Sequence, residues 1–476
     1  MLQAPFGWPA YLVFILFVPF LDLNASLSFS RRFLNGFLFG LGYFAVHLKW
    51  LAVVGTDAWL SLAVICAVWW GISSSLAGYY ASSKFWPFWF ASSWSALEIL
   101  RDHFPWGGFG WGQVGLIWID TPFAGLYATF GQIGVTWLTY FLVAVLYIYI
   151  VRDLFAGTKL KIKRVGIGLV GALAVSFFSA NFQPVYSVSS DSITILGIQG
   201  GVEHYGMGTG SDPYAVVDRH IKQTIENLEV VNNSDIVVWP ESSVDQDPTD
   251  DDLTFKKLID LDKKVAIPVL VGTTIYDQQS LKSNSAQLLY SGKLQTVYEK
   301  RHLVPFGEFL PLRYWIEQYT DRASLLAHDF KPGKTSSRLT IKGHELMVLI
   351  CFEVADESLA LENIEQKSAI IIPTNNATYQ NLGQTQQQAI YSRLRAIETG
   401  RKVISIATSG ESVIVNQYGQ IESSLSQDDV GILTTDVSKT TGFTLASKLF
   451  YPIEILIFCI FILGLIQSLK KSRIES

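Results

Sequence analysis

The sequence predicts a polytopic α-helical membrane domain joined to one extracytoplasmic α/β domain. Three observations predict it: apolar runs crowd both ends of the chain, the basic clusters between them share one side, and strands alternate with helices over residues 183–450. Of 476 residues, 49% are hydrophobic and 16% charged, whereas ordinary soluble proteins carry about 25% charged residues. The first hundred residues hold seven charged side chains: Asp22, Arg31, Arg32, Lys49, Asp57, Lys84 and Glu98. The middle has the mixed usage of a globular domain and is long enough for one sizeable core. A net charge of -5 without a basic, aromatic-interleaved patch argues against a nucleic-acid partner. The seven histidines lack ligand spacing with Cys or carboxylates, so neither metal nor cofactor is expected.

Apolar runs cover 9–25, 34–53, 59–82, 86–99, 122–150 and 165–182, and one more follows the globular region at 451–468. A span takes about 20 apolar residues; most of these fit, and 86–99 is short. The first run lacks a charged leader and a small-residue cleavage site, so it reads as a retained span. Arg31 and Arg32, Lys84, the cluster from Arg152 to Arg164, and Lys470 to Arg473 all fall on one side if the seven runs cross. Basic residues mark the cytoplasmic side, which places 183–450 outside the cell. The predicted organisation is a membrane domain over 1–182 with about six spans, a globular extracytoplasmic domain over 183–450, and a last span with a basic cytoplasmic tail over 451–476. The loop 101–121, rich in Gly and Trp, reads either as an interfacial aromatic anchor or as a lipid-facing entrance.

Within the globular part, strands are expected at 192–198, 234–239, 265–274, 368–373, 403–408 and 412–416, with a hairpin near 285–298. Helices are expected over 212–230, with Pro213 in the first turn, over 253–262 and over 384–400. Nearly continuous Val/Ile runs alternating with helices indicate a β-sheet core covered by helices. Residues 345–350, Glu-Leu-Met-Val-Leu-Ile, read as a buried strand and lead straight into Cys351, the only cysteine between the membrane residues Cys66 and Cys459. Such a thiol is either a small core hydrophobe or a nucleophile at the carboxyl edge of a sheet. An unpaired cysteine in a compartment that tolerates disulfides favours the second. Glu241 after the second strand and Lys300 after the hairpin complete a set that suits acyl transfer. The carboxylate accepts the thiol proton, the ammonium meets the oxyanion and lowers the thiol pKa, and the thiolate forms the intermediate.

These motifs carry a family resemblance. Val238-Trp-Pro-Glu241, Tyr298-Glu-Lys-Arg-His-Leu-Val-Pro-Phe-Gly-Glu308 and Ile350-Cys-Phe-Glu353 resemble those of bacterial apolipoprotein N-acyltransferases, the membrane-bound branch of the nitrilase superfamily. Gln199-Gly200, Phe104-Pro-Trp106, Arg395-Ala-Ile-Glu-Thr-Gly-Arg401 and Thr408-Ser-Gly410 support it. The resemblance implies a nitrilase-like α-β-β-α sandwich and a catalytic set of Glu241, Lys300, Cys351, Glu308 and Glu353. Glu241 would be the general base, Lys300 the oxyanion stabiliser and Cys351 the nucleophile. Phe352 would add a backbone oxyanion donor, Trp239 and Phe306 would either shape the acyl pocket or fill the core, and the Gly-rich stretches 200–201 and 206–210 would either belong to a lid or be uninvolved surface loops. It implies a phospholipid acyl donor, a diacylglyceryl-modified apolipoprotein acceptor, and a monomer in the bacterial plasma membrane.

The chain departs from the family pattern in three places. Residues 2–8 resemble the approach to the family's second span, so seven spans and an extracytoplasmic amino terminus are expected. Phe352 stands where Tyr is commoner, and Thr374-Asn-Asn-Ala-Thr-Tyr379 replaces a commoner Ser-Asn-Asp-Ala-Trp-Phe, as in versions from high-GC Gram-positive bacteria. Two alternatives stay open at this point: a membrane-tethered amidase or nitrilase acting on a small amide, and a non-catalytic lipoprotein-binding module.

Overall fold

The structure is a computed structural model describing residues 16–17, 20–21, 27–77, 83, 85–148, 171, 187–202, 212–276, 281–318, 329–379 and 383–475. Two compact units divide the chain, residues 1–184 with 444–476, and 185–443. The runs at 9–25 and 165–182 fall almost entirely outside the described residues, as do Lys84, the basic cluster 152–164 and the lid stretch 206–210.

In the first unit, α1 (Phe29–His47) packs on α2 (Thr56–Ala77), α2 on α3 (Trp86–His103) and α3 on α4 (Tyr127–Leu146), while the last helix, Leu445–Glu475, packs on α3 and α4. Among the described residues, three helices are long and apolar enough to cross a membrane: Thr56–Ala77, Ala124–Leu146 and Leu445–Ser468. Small residues let α1 and α2 touch: a Cβ on Gly36 would lie 2.4 Å from that of Ser74, the close approach that small-xxx-small patterns permit between membrane helices. The run at 86–99 is short because its helix continues through a buried ion pair. Glu98 Oε2 accepts from Arg101 Nε at 2.9 Å, while Glu98 Oε1 accepts from Trp70 Nε1 at 2.9 Å and Tyr140 at 3.1 Å. An intramembrane charge is tolerated when it faces the bundle interior and is paired. Arg101 also donates to the carbonyls of Phe109 and Trp111, which fastens the Gly/Trp loop to α3. That loop divides its aromatics: Trp111 is buried, whereas Phe104 and Trp106 are exposed.

The second unit holds two six-stranded sheets. The first sheet contains β1 (Ser187–Gln199), β2 (Ile236–Val238), β3 (Val269–Tyr276), β4 (Lys282–Tyr290) and β5 (Lys293–Glu299). The second contains β6 (Leu339–Ile341), β7 (His344–Val348), β8 (Ala369–Thr374), β9 (Lys402–Ala407), β10 (Ser412–Val415) and β11 (Ile421–Leu425). The last strand, β12 (Gly431–Thr441), returns to pair antiparallel with β1 at the edge of the first sheet. Three central strands in each sheet run parallel, β1–β2–β3 and β7–β8–β9. Their apolar side chains alternate between two cores. Ile195, Val238, Leu270, Val348, Ile371 and Ile404 share the core that contains Cys351. Leu196, Val237, Trp239 and Val271 point the other way, against α5 (Ala215–Glu226), α6 (Leu228–Asn232) and α7 (Asp252–Val265).

Several boundaries differ from the sequence reading. The helix expected over 212–230 breaks at Asn227, which caps α5 and starts α6. Val265 ends α7 instead of opening a strand, because Ala266 adopts a left-handed cap. β6, β11 and β12 were not foreseen, and half-exposed polar strands such as Ile421–Leu425 carry no continuous apolar run.

Candidate active site

The carboxylate comes first in chain order. β2 is a three-residue buried strand, and Pro240, which has no N–H, closes its ladder. The chain leaves through Ser242 in the left-handed region, φ 52°. Gly272 of β3 lies so close that a Cβ there would sit 2.3 Å from Pro240 O and 2.7 Å from Glu241 Cα; a bare backbone is what lets this corner close. Glu241 is thereby buried. Its Oε2 accepts the backbone N–H of Asn375 at 2.8 Å, from the loop after β8 in the opposite sheet.

The ammonium follows β5. Lys300 is buried, and its Nζ lies 2.8 Å from Glu308 Oε1 and 3.3 Å from Glu241 Oε1. Asn284 of β4 links the group: its side-chain amide donates to Glu241 Oε1 at 2.6 Å and Glu308 Oε1 at 3.0 Å, while its carbonyl takes the N–H of Lys300 at 2.8 Å. Glu308 closes its own loop by accepting the Val304 N–H on Oε2 at 2.8 Å. Burial disfavours the Lys300 charge, yet Glu241 and Glu308 together hold its pKa well above the ordinary value. Lys300 is thus an ammonium held between two carboxylates.

The thiol follows β7. Cys351 opens a 3₁₀ turn, Cys351–Ala355, from the left-handed conformation, φ 53°. That region is unfavourable for a side-chain-bearing residue by about 1–2 kcal/mol, and such strain gathers at functional sites. The Glu241 carboxylate and the Asn375 N–H both act on the ionisation of the thiol. Burial raises its pKa, Glu241 raises it further, and Lys300 lowers it less. Lys300 thus lowers the thiol pKa as expected, but desolvation and the carboxylate outweigh the ammonium, so the net shift is upward.

Glu353 faces away from this triad. Its Oε1 accepts from Tyr298 at 2.8 Å, Arg301 N at 2.7 Å and His302 N at 3.0 Å, and its Oε2 accepts Ile350 N at 2.7 Å. Every one of these partners belongs to the lysine segment or the Cys351 turn, so Glu353 joins the two. Burial raises its pKa against the pull of those N–H donors. Phe352 sets its ring edge-on to His302 at 5.3 Å. Phe306, half-buried at φ 66°, stands two residues before Glu308. Trp239 does not reach this face. Its ring lies in the outer core beside His220, and its Nε1 donates to Thr224 of α5 at 3.1 Å, because period-2 alternation sends it opposite to Val238. The pocket role expected for Trp239 gives way to a core role.

Asn284 and the backbone of Asn375 escaped the sequence reading. Asn284 lies among Lys282, Ser283, Ser285 and Gln287 in the largely polar strand β4, so no local pattern singles it out; a backbone donor leaves no signal either. Tyr379, whose phenol pKa burial and then the Cys351 charge raise, brings a further hydroxyl into the field of the cluster.

A family model described as the apolipoprotein N-acyltransferase N-terminal domain matches residues 1–145, and one described as carbon-nitrogen hydrolase matches residues 212–444. Apolipoprotein N-acyltransferase of Haemophilus influenzae is 27% identical over 469 residues, covering 93% of this chain and 87% of the relative. That of Coxiella burnetii is 25% identical over 478 residues, covering 94% of each. The chain belongs to the apolipoprotein N-acyltransferase family. It is an N-acyltransferase of the bacterial inner membrane, multi-pass, with its catalytic domain on the extracytoplasmic side. Among solved structures, a yeast member of branch 10 of the nitrilase superfamily aligns at 17% identity and a TM-score of 0.41 over 53% of this chain and 93% of that one. A Nesterenkonia amidase gives 17%, 0.41, 53% and 93%.

Proposed function

We propose that Cys351 takes an acyl chain from a membrane phospholipid and passes it to the α-amine of the diacylglyceryl-modified amino-terminal cysteine of an apolipoprotein. The observation that carries this reading is the shared carboxylate: Glu241 faces the Lys300 ammonium at 3.3 Å and interacts with the Cys351 thiol. A neutral thiol beside a base suits proton transfer in step with attack. Sulfur attacks the ester carbonyl carbon while Glu241 takes the S–H proton. The oxyanion develops against Lys300, with the Phe352 N–H as a second donor. Collapse breaks the ester C–O bond, Glu241 returns the proton to the departing glyceryl oxygen, and lysophospholipid leaves a thioester on Cys351. The acceptor amine then adds to that carbonyl, Glu241 removes its proton, and the C–S bond breaks to release the N-acylated product. Glu241 restores the thiol. Glu308 and Asn284 keep Glu241 and Lys300 in register throughout both halves.

Intact-mass measurement of the enzyme incubated with phospholipid and no acceptor tests the reading. A Cys351-linked acyl adduct that disappears when a diacylglyceryl peptide is added is the expected result. An adduct lost to water at the same rate with or without the peptide would overturn the acceptor assignment.

A further inference from the structure

Acyl transfer by this arrangement needs two segments held in register, Lys300 at the end of one and Cys351 at the start of the other. Glu353 joins them through main-chain N–H groups, and a second link lies beside it. His302 Nδ1 is 2.8 Å from Asp356 Oδ2, with both side chains largely buried. Asp356 is fixed independently: its other oxygen accepts from Ser358 Oγ at 2.7 Å and Leu359 N at 3.1 Å, capping the helix Glu357–Leu361. The His302 ring also meets the Phe352 ring edge-on. The imidazole is thus wedged between the residue after the nucleophile and the residue that ends its turn.

We infer that His302 and Asp356 form a protonation-sensitive clasp that seats Lys300 against the nucleophile turn, with His302 a positioning residue for acyl transfer. The inference rests on reading Cys351 as nucleophile and Lys300 as oxyanion donor. The ionisable neighbours are assigned to other partners. Glu353 takes the His302 N–H, Tyr298 donates to Glu353, Arg301 pairs with Glu362, and Lys300 pairs with Glu241 and Glu308. Burial opposes ionisation of Asp356, but the His302 contact, Ser358 and Leu359 hold its carboxyl well below the usual range. An imidazole is the side chain that changes charge near neutrality. A protonated ring makes a charge-assisted bond to Asp356, about twice as strong as the neutral one left after deprotonation. As pH rises through the imidazole titration the clasp loosens and Lys300 is held less firmly.

The test uses the full-length enzyme in phospholipid–detergent micelles from pH ~5.5 to ~8.5. The wild type, His302→Gln and Asp356→Asn are compared by single-turnover acylation of Cys351, read by mass. Alkylation of Cys351 by iodoacetamide, located by peptide mapping, is measured on the same samples. The wild type should outrun each variant about 10-fold at the acid end and about 3-fold at the alkaline end, in both assays. Asp356→Asn keeps an oxygen for Ser358 and Leu359, so it carries the test if His302→Gln does not fold. A wild-type-to-variant ratio that stays constant with pH in both assays would overturn the clasp. A pH-dependent gap in alkylation without lipid-derived acylation in any sample would support the clasp and sink the donor assignment.

Discussion

In the first sheet of the catalytic domain the order is one antiparallel edge strand (β12), three parallel strands (β1–β3) and two antiparallel strands (β4, β5). In the second it is β6, then β7–β9, then β10 and β11. Matched strand ends carry different residues. β1 ends at Gln199, whose side chain donates to Ser426 O and Asp429 O at 2.8 Å each and accepts the Ser412 hydroxyl; β7 leads instead to Cys351. β2 leads to Glu241, whereas β8 leads to Asn375, which contributes its backbone N–H. β3 carries Gly272 under Glu241, and β9 is followed by Thr408, whose hydroxyl donates to Glu241 O at 3.0 Å. One scaffold therefore offers equivalent corners, and chemistry arises where a side chain from one sheet meets a group from the other. Every bond that orients the Glu241 carboxylate toward the thiol crosses that divide or comes from the hairpin β4–β5.

The comparison breaks most completely if the thiol is removed. Cys351→Ser should abolish the acyl adduct, a loss of at least ~1,000-fold; wild-type yield would remove Cys351 from the mechanism. Next comes the group that the first sheet contributes at the hairpin. Lys300→Ala should slow adduct formation about 100- to 1,000-fold, the usual cost of one oxyanion donor. It should also destabilise the domain by roughly 3–5 kcal/mol, since Glu241 and Glu308 lose their buried counter-ion; denaturant melts read the second effect. Asn284→Ala sharpens the comparison by leaving all charges in place. Two charge-assisted bonds are lost, so a stability loss of about 2–3 kcal/mol and a roughly 10-fold slower acylation are expected. Unchanged kinetics with lowered stability would demote Asn284 to a packing role. The smallest effect belongs to the outer face: Trp239→Phe should cost about 1 kcal/mol from the lost bond to Thr224 while leaving the acylation rate within twofold. A large rate loss at constant stability would return Trp239 to the pocket.

Much of the site was legible because its residues end strands. Glu241 and Cys351 each follow a recognisable apolar run and Lys300 follows the hairpin, and their motifs give residue types suited to one reaction. Trp239 was misplaced for a related reason: a sequence motif shows adjacency along the chain but not which sheet face a side chain takes. The net direction of the thiol pKa was not legible, since the order of burial, Glu241 and Lys300 as influences depends on depth in the fold. Asn284 looks like one more polar residue of the strand until the two carboxylates are seen on its amide.

By itself the sequence determined the alternation of membrane runs and an α/β domain, the side on which that domain lies, and the family. Local hydrophobic periodicity and charge asymmetry carry the first two, and the resemblance of the motifs around Glu241, Lys300 and Cys351 carries the family. Tertiary structure alone decided that β12 completes the first sheet beside β1, that Asn375 gives its N–H to Glu241, and that Glu353 and the His302–Asp356 pair lock two distant segments together. Such links join residues far apart in the chain through backbone groups and buried geometry, which no local pattern of residue types encodes.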